Sequence, residues 1–414
     1  MRVLYYNLRK VINILKNEGM YRGLRIIKSK VLRGTKKVLI KRDINEFYSY
    51  ILLKENPPKI KYKKGDCIRI AWFIPDFGIG SGGHLNIFRF VHLLEKNYKV
   101  RSDIYICGNT QWRDTKTLKE IVNKYFFETN ANYYILNTPE KIYEINQVYD
   151  LAIATSWQTA YYVRAFGECS QKAYFVQDFE PYFYPKGSNY AFAEETYRFN
   201  FYGITAGTWL KEKLSNSYGM KCESFSFSYD KDIYKRKKRR DPEKTRIFFY
   251  SRPPTDRRGF ELGLLALSVY CENNPETEVV MAGWDVSEYE IPFKHLNAGI
   301  VKIEELPDLY SQCDVALILS FTNLSLLPLE LLASGCPVII NEGSNNSWID
   351  NNKNLLVYTK ATTSSINESL EKVLKNKEYR ESLILNSEKF LEETSWSKEV
   401  DKVYKFIVSI LEEK

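Results

Sequence analysis

The sequence predicts an α/β protein built from two Rossmann-like, doubly wound domains in tandem, with a basic helical extension ahead of them. Three observations predict it. Short apolar runs of strand length alternate with helix-length amphipathic patterns, the signature of parallel sheets covered by helices on both faces. The alternation is interrupted once, by the charged stretch 229–245. The chain has 414 residues, enough for two domains that each bury a core.

Taken in order, the extension (1–65) comes first. The formal net charge is +9, and the excess collects here: Arg2, Arg9, Lys10 and Lys16 begin a basic series running to Lys41 and Arg42, against the single acid Glu18. Val3, Leu4, Leu8, Val11, Ile12 and Leu15 recur among them at roughly helical spacing. Such a helix fits an anionic membrane surface, a nucleic-acid arm, or a solvated helix packed on the body. The expectation adopted is the membrane surface, with no nucleic acid as partner. No signal-peptide cleavage pattern is seen, and no run approaches the roughly eighteen apolar residues of a spanning helix.

The first domain (66–228) shows strand patterns at 68–75, 103–107, 133–136, 151–155, 173–176 and 202–205, with a helix at 85–94. The linker (229–245) carries the run Lys235 to Arg240 and reads as charged and solvated. In the second domain (246–394), strands are expected at 246–250, 278–282, 315–319, 338–340 and 355–358, and helices at 260–270, 306–312, 365–374 and 379–390. A last helix fills 395–414. Tandem doubly wound domains turn their strand ends toward one another, so the cleft between them is the expected site.

Aromatic residues make up 15% of the chain, including 31 Tyr, which suits either stacking on sugars and bases or a tyrosine-rich core. Seven cysteines without a C-x-x-C pair imply a reduced, cytoplasmic compartment. Three histidines without ligand spacing make a histidine-based metal site unexpected.

Gly78-x-Gly80-x-x-Gly83 follows a strand and opens a helix. It matches the dinucleotide fingerprint in form, yet Asp103 begins rather than ends the next strand, where a ribose-binding acid belongs. Two readings remain, a plain tight turn or a loop at Gly82, Gly83 and His84 that lets a ligand approach the backbone. In the second domain Arg252 ends the first strand, and Arg257 and Arg258 precede the next helix. Cations there suit a diphosphate, and Arg252 could stabilise a leaving phosphate. After the strand at 315–319, the loop Thr322, Asn323, Leu324 and Ser325 leads to a helix near Pro328, whose free N–H groups attract phosphate. Glu330, one turn into that helix, is either a partner for ribose hydroxyls or a solvent-facing glutamate on an ordinary turn. Gln177, Asp178, Glu180 and Tyr184, with Trp157 on a neighbouring strand end, form either a sugar-acceptor surface or a proline-punctuated loop packed on the core. Asp230-x-Asp232, a formal metal-binding pair, lies beside consecutive cations and is taken as a chance match.

Together these residues resemble the retaining glycosyltransferases of GT-B fold, family 4, over most of the chain from about Ile68. The resemblance rests on the Gly-rich loop before His84, Arg252 with Arg258-Gly259, Pro328-Leu329-Glu330, Ser334-Gly335-Cys336-Pro337-Val338, and Ser395-Trp396 before the final helix. It implies that this helix crosses back onto the first domain, and that the Gly loop and arginines contact the diphosphate. It also implies that Glu330, the second acid of an E-x7-E motif, contacts the ribose. The motif's first acid falls on Thr322, and the family's usual histidine near the donor sugar falls on Gln177. The stretch 175–185 resembles that of dTDP-rhamnose-dependent rhamnosyltransferases of S-layer glycan and rhamnan assembly.

The implied activity is transfer of L-rhamnose from dTDP-L-rhamnose, with retention, to a lipid-linked glycan on the cytoplasmic face of the membrane. The leaving phosphate would accept the acceptor's proton, and no metal or other cofactor is implied. Arg252, Arg258, Glu330 and Asp178 are the catalytic candidates. A UDP- or GDP-hexose donor is the alternative within the fold, and a nucleotide-dependent dehydrogenase or a non-catalytic nucleotide-binding module the alternative outside it.

Overall fold

The computed structural model describes residues 44–65, 67–350 and 354–413. The basic segment 1–42, with its expected membrane role, lies outside the described residues. The chain divides into two compact units, 1–49 and 50–414. In the first, helix α1 (Ile44–Tyr48) is described. The second holds two α/β domains, each on one parallel sheet.

The first sheet has seven strands: β1 (Ile68–Pro75), β2 (Val100–Cys107), β3 (Asn132–Leu136), β4 (Tyr149–Ala154), β5 (Cys169–Val176), β6 (Tyr202–Ala206) and β7 (Cys222–Phe225). Their order is β3-β2-β1-β4-β5-β6-β7. Helices α2 (Gly82–Asn97), α3 (Thr115–Tyr125), α4 (Trp157–Ala165), α5 (Ser188–Glu195) and α6 (Thr208–Tyr218) connect them. From Ile70 on, β1 is an apolar run, as a strand covered by helices on both faces of the sheet requires, and its Ile70, Trp72, Phe73 and Ile74 are fully buried. The chain reverses its winding between β1 and β4, so a crevice opens beyond Pro75 and Ala154.

The second sheet has six strands: β8 (Arg246–Tyr250), β9 (Glu278–Ala282), β10 (His295–Gly299), β11 (Val315–Ile318), β12 (Val338–Asn341) and β13 (Leu356–Thr359). They run in the order β10-β9-β8-β11-β12-β13, which puts the reversal between β8 and β11. Helices α7 (Phe260–Asn273), α8 (Leu306–Ser311), α9 (Leu327–Ala333), α10 (Ser344–Ser347), α11 (Thr363–Lys375) and α12 (Lys377–Glu393) belong to this half. The last helix, α13 (Trp396–Glu412), returns to the first sheet. Its Trp396 meets Phe90 edge-on, Tyr404 stacks on Tyr98 at 3.8 Å, and Glu399 accepts the N–H of Ser226 at 2.7 Å.

Two strands go beyond the sequence expectation, β7 and the edge strand β10. The linker corrects it. Read as solvated, it is anchored to both domains: Asp230 takes both Nη atoms of the buried Arg89 at 2.5 and 2.9 Å, and Arg239 pairs with Asp314. Tyr234 is buried. Asp230 is therefore the counter-ion of Arg89, whose guanidinium also lies 4.5 Å from the Trp396 ring centroid. In each pair the carboxylate offsets the desolvation of its arginine, which composition alone does not reveal. All seven cysteines are free thiols. Among the described residues no helix is long and apolar enough to cross a membrane.

Candidate functional site

Beyond β8 the chain makes a tight 3-10 turn at Asp256–Arg258, and Gly259 then enters α7 in the left-handed region at φ +57°. A Cβ there would stand 3.0 Å from Leu319 Cδ1 and Phe321 Cε2, so the turn needs glycine twice over. This turn throws Arg252, Arg257 and Arg258 into the β8/β11 crevice. Arg258 Nη1 donates to Ser320 Oγ at 2.7 Å, and the Arg257 guanidinium lies 4.2 Å from the Phe183 ring centroid. The Nε atoms of Arg252 and Arg257 are buried without a hydrogen-bond partner. Burial, then the neighbouring Arg258, holds Arg257 below the usual arginine range. Asp178 is the carboxylate that faces this trio, 4.0 Å from Arg257 Nε. Three cations crowded against one carboxylate, with donors unused, make a site for a multiply charged anion.

Asp178 comes from the first domain, just beyond β5. It accepts Thr322 Oγ1 at 2.7 Å and the N–H of Asn323 at 2.8 Å, both from the loop after β11. Asn323 completes the clasp by donating Nδ2 to the carbonyls of Gln177 (2.9 Å) and Ala206 (2.8 Å). The loop's own shape is set by asparagines that the sequence reading did not single out. Asn341 accepts the N–H of Ser320, while Asn341 and Asn346 donate to the Ser320 carbonyl at 2.9 and 3.0 Å. The cluster Asn345-Asn346 just after a strand end is a turn-type signal that could have flagged them. Burial lifts the Asp178 carboxyl above its ordinary range, against the pull of the Asn323 N–H, Thr322 and the two arginines.

On the first domain, α2 begins at Gly82, and its first internal bond runs from the Leu85 N–H to Ser81 O. The N–H groups of Gly82, Gly83 and His84 are left at an open helix terminus. A Cβ at Gly82 would meet nothing within 4 Å, so the protein itself does not demand glycine there. Gln177 ties this terminus to the clasp, donating Nε2 to Gly83 O at 2.9 Å and accepting Asn86 Nδ2 at 3.2 Å. The structure thus links Gly83, Gln177, Asp178, Thr322 and Arg257 into one continuous set.

Other expected residues stand elsewhere. His84 bonds Ser81 Oγ at 2.8 Å and stacks on Phe77; burial pushes its imidazole down to about 4, so it is neutral and brings no charge to a phosphate. Leu324 is buried and its N–H goes to Asn345 O, while that of Asn323 goes to Asp178. The loop therefore offers phosphate less backbone than expected, the N–H groups of Thr322 and Ser325 being the ones without a partner among the described residues. Glu330 is half-buried beside Tyr234, and burial pushes its carboxyl up to about 7.

Trp157 and Glu180 are corrections to the acceptor surface. Glu180 is buried, accepting the N–H of Trp157 at 2.7 Å and the Tyr174 hydroxyl at 2.8 Å. Burial pushes its carboxyl up to about 7 as well. Trp157 is buried with its Nε1 on the Tyr184 hydroxyl at 3.1 Å. These groups hold the start of α4 against the 177–184 loop from behind, leaving Gln177 and Asp178 as the part that faces the cleft.

Comparison with known proteins agrees with the two-domain fold. Residues 120–206 match the family described as WsaF, N-terminal domain, and residues 245–371 match WsaF, C-terminal domain. O-antigen biosynthesis protein RfbC of Myxococcus xanthus is 34% identical over 352 residues, covering 84% of this chain. The chain spans 27% of that relative's length. Sucrose-phosphate synthase of Thermosynechococcus elongatus superposes with a TM-score of 0.61 at 12% identity, covering 83% of this chain and 99% of that one. Anabaena HepE, solved with UDP and glucose, gives 0.62 at 11% identity over 83% and 100%. WaaG, a glycosyltransferase involved in lipopolysaccharide biosynthesis, gives 0.58 at 12% identity over 82% and 99%. These structures share the GT-B arrangement of two parallel-sheet domains.

Proposed function

We propose, from the premise that the chain belongs to the GT-B glycosyltransferases with the WsaF domain pair, that it transfers L-rhamnose from dTDP-L-rhamnose to a growing, lipid-linked surface glycan. One observation carries the donor half of this reading: Arg252, Arg257 and Arg258 gather at the β8/β11 switch with guanidinium donors unused, opposite the open terminus of α2. A nucleoside diphosphate suits both ends.

In the proposed reaction the bond from the anomeric carbon to the β-phosphate oxygen breaks, and the acceptor hydroxyl oxygen bonds to the same face of that carbon. The hydroxyl's proton passes to the leaving phosphate, giving dTDP and the extended glycan. Arg252 and Arg258 balance the charge that grows on the diphosphate, so the reading includes no metal ion. Asp178 sits where positive charge would develop on the sugar ring and opposes it. Glu330 takes ribose hydroxyls, and Gln177 faces the sugar, where a donor without an O6 hydroxyl needs no histidine. The likeness to HepE supports one second reading, a UDP-hexose donor in the same site.

A thermal-shift panel of dTDP, UDP, GDP and NAD separates these readings. Stabilisation by dTDP is expected; stabilisation by UDP alone would replace rhamnose with another hexose, and by NAD alone would end the transferase reading. The basic segment 1–42 is proposed to hold the enzyme on the inner face of an anionic membrane. Its deletion should abolish sedimentation with anionic liposomes and leave nucleotide affinity intact; unchanged sedimentation would refute that role.

A further inference from the structure

We infer a second ligand site, for a neutral sugar residue, in the cavity of about 420 Å³ between the start of α6 on one side and α10, Trp348, Asp350 and β13 on the other. Its size falls within the roughly 300–1,000 Å³ of small-molecule sites. The identity of the ligand as part of the acceptor glycan rests on the transferase reading above; the existence of the site does not.

The chemistry of the wall selects the ligand class. No Lys, Arg or His lines this cavity, so nothing there balances a phosphate, in contrast to the arginine trio. Trp209 and Trp348 bring indole rings, Glu212 and Asp350 carboxylates, and Ser344 and Ser347 hydroxyls. Both oxygens of Asp350 already accept, from the N–H groups of Leu355 (3.2 Å) and Leu356 (3.3 Å). Glu212 is exposed, with no partner among the described residues, and is the acceptor left over for a ligand's hydroxyls. A ring offering an apolar C–H face to indole and hydroxyls to a free carboxylate is a sugar.

The position gives the site its use. Trp348 walls the cavity from the second domain and covers Gly207 of the first, where a Cβ would come within 2.5 Å of its ring. The same indole donates Nε1 to Asn323 Oδ1 at 3.0 Å, and Asn323 is the residue whose N–H binds Asp178. The cavity therefore spans both domains and backs onto the clasp. A sugar residue held there is set back from the one that reacts, as a glycan longer than one unit requires.

The test uses the full chain with linear trisaccharides of L-rhamnose, D-glucose and D-galactose, their methyl monoglycosides as controls, and dTDP in parallel. Binding is read by indole fluorescence and by saturation-transfer NMR. At least one trisaccharide is expected to bind, and Trp209→Ala to weaken it about tenfold, the value of one stacking ring. Glu212→Gln, an exposed and shape-preserving change, should weaken it a few-fold, and neither should alter dTDP affinity. Trisaccharide binding indifferent to both variants, or no trisaccharide binding by a chain that binds dTDP, would overturn the site. If no nucleotide binds, the donor reading fails, while the trisaccharide arms still decide this inference on their own.

Discussion

Asp178 and Asn323, 145 positions apart in sequence, meet across the cleft in a 2.8 Å hydrogen bond from backbone N–H to carboxylate. The carboxylate stands against Thr322, on the loop where the resemblance places an acid, and 4.0 Å from Arg257. It is thus both the clasp between domains and the counter-charge of the arginine trio. Replacing it with a neutral isostere separates these effects. Asp178→Asn should bind dTDP several-fold more tightly, because the diphosphate no longer competes with a carboxylate for the arginines. Turnover should fall at the same time, because the charge facing the sugar is gone. Calorimetry and initial rates check the pair, and weaker dTDP binding with normal turnover would refute the assignment.

Arg252 makes one long contact, 3.4 Å to the Tyr250 hydroxyl, and crowds two other cations. Folding gains little from it. Arg252→Ala should therefore leave the melting temperature unchanged or slightly raised, while turnover falls by roughly 10²–10³-fold, the usual loss for one donor to a developing anion. A near-normal rate would remove Arg252 from the site.

Gly82 offers a test of whether an open glycine exists for the ligand. Since nothing of the protein lies within 4 Å of a Cβ there, Gly82→Ala should fold normally, its stability unchanged or higher by up to about 1 kcal/mol. Donor affinity should nonetheless drop, because the methyl fills the space above the N–H groups of α2. Equal donor affinity in the two proteins would show that the Gly loop is a tight turn and nothing more.

The two sheets were legible because strands buried on both faces are apolar runs, as in β1 and β11. The strands that escaped notice are those this physics does not mark: β10 (HLNAG) lies at an edge, with Leu296 48% exposed, and β7 (CESF) lies at the edge of the other sheet, with Cys222 and Glu223 only half-buried. The arginine trio was legible because its members lie within seven residues of one another, from Arg252 to Arg258. The role of Asp178 was not, since its partners come from the other domain. For the same reason the linker looked solvated: Arg239 finds Asp314 75 positions away. Trp157 and Glu180 were misplaced because an acid beside aromatics reads alike whether it faces a cleft or supports one from behind.

That supporting role makes Glu180 a source of pH dependence. Burial pushes its carboxyl up to about 7 from 4.5, although the Trp157 N–H and Tyr174 hydroxyl favour the ionised form. The folded state therefore binds a proton more tightly than the unfolded one. Its share of stability is complete below about 4.5 and is lost as pH rises through about 7, on the order of 3–4 kcal/mol for a shift of this size. Glu330 and Asp178, also raised, give slopes of the same sign. Glu180→Gln keeps the shape, with Tyr174 able to turn and accept from the amide, and it cannot ionise. Urea melts between pH 4.5 and 8 should show the stability of wild type falling relative to that of the variant as pH rises through about 7; the opposite slope that the depressed His84 gives below about 6.5 is common to both proteins and cancels in the difference. Coincident profiles would mean that Glu180 is ionised in the fold, and that the start of α4 is held by a charged cap rather than a neutral one.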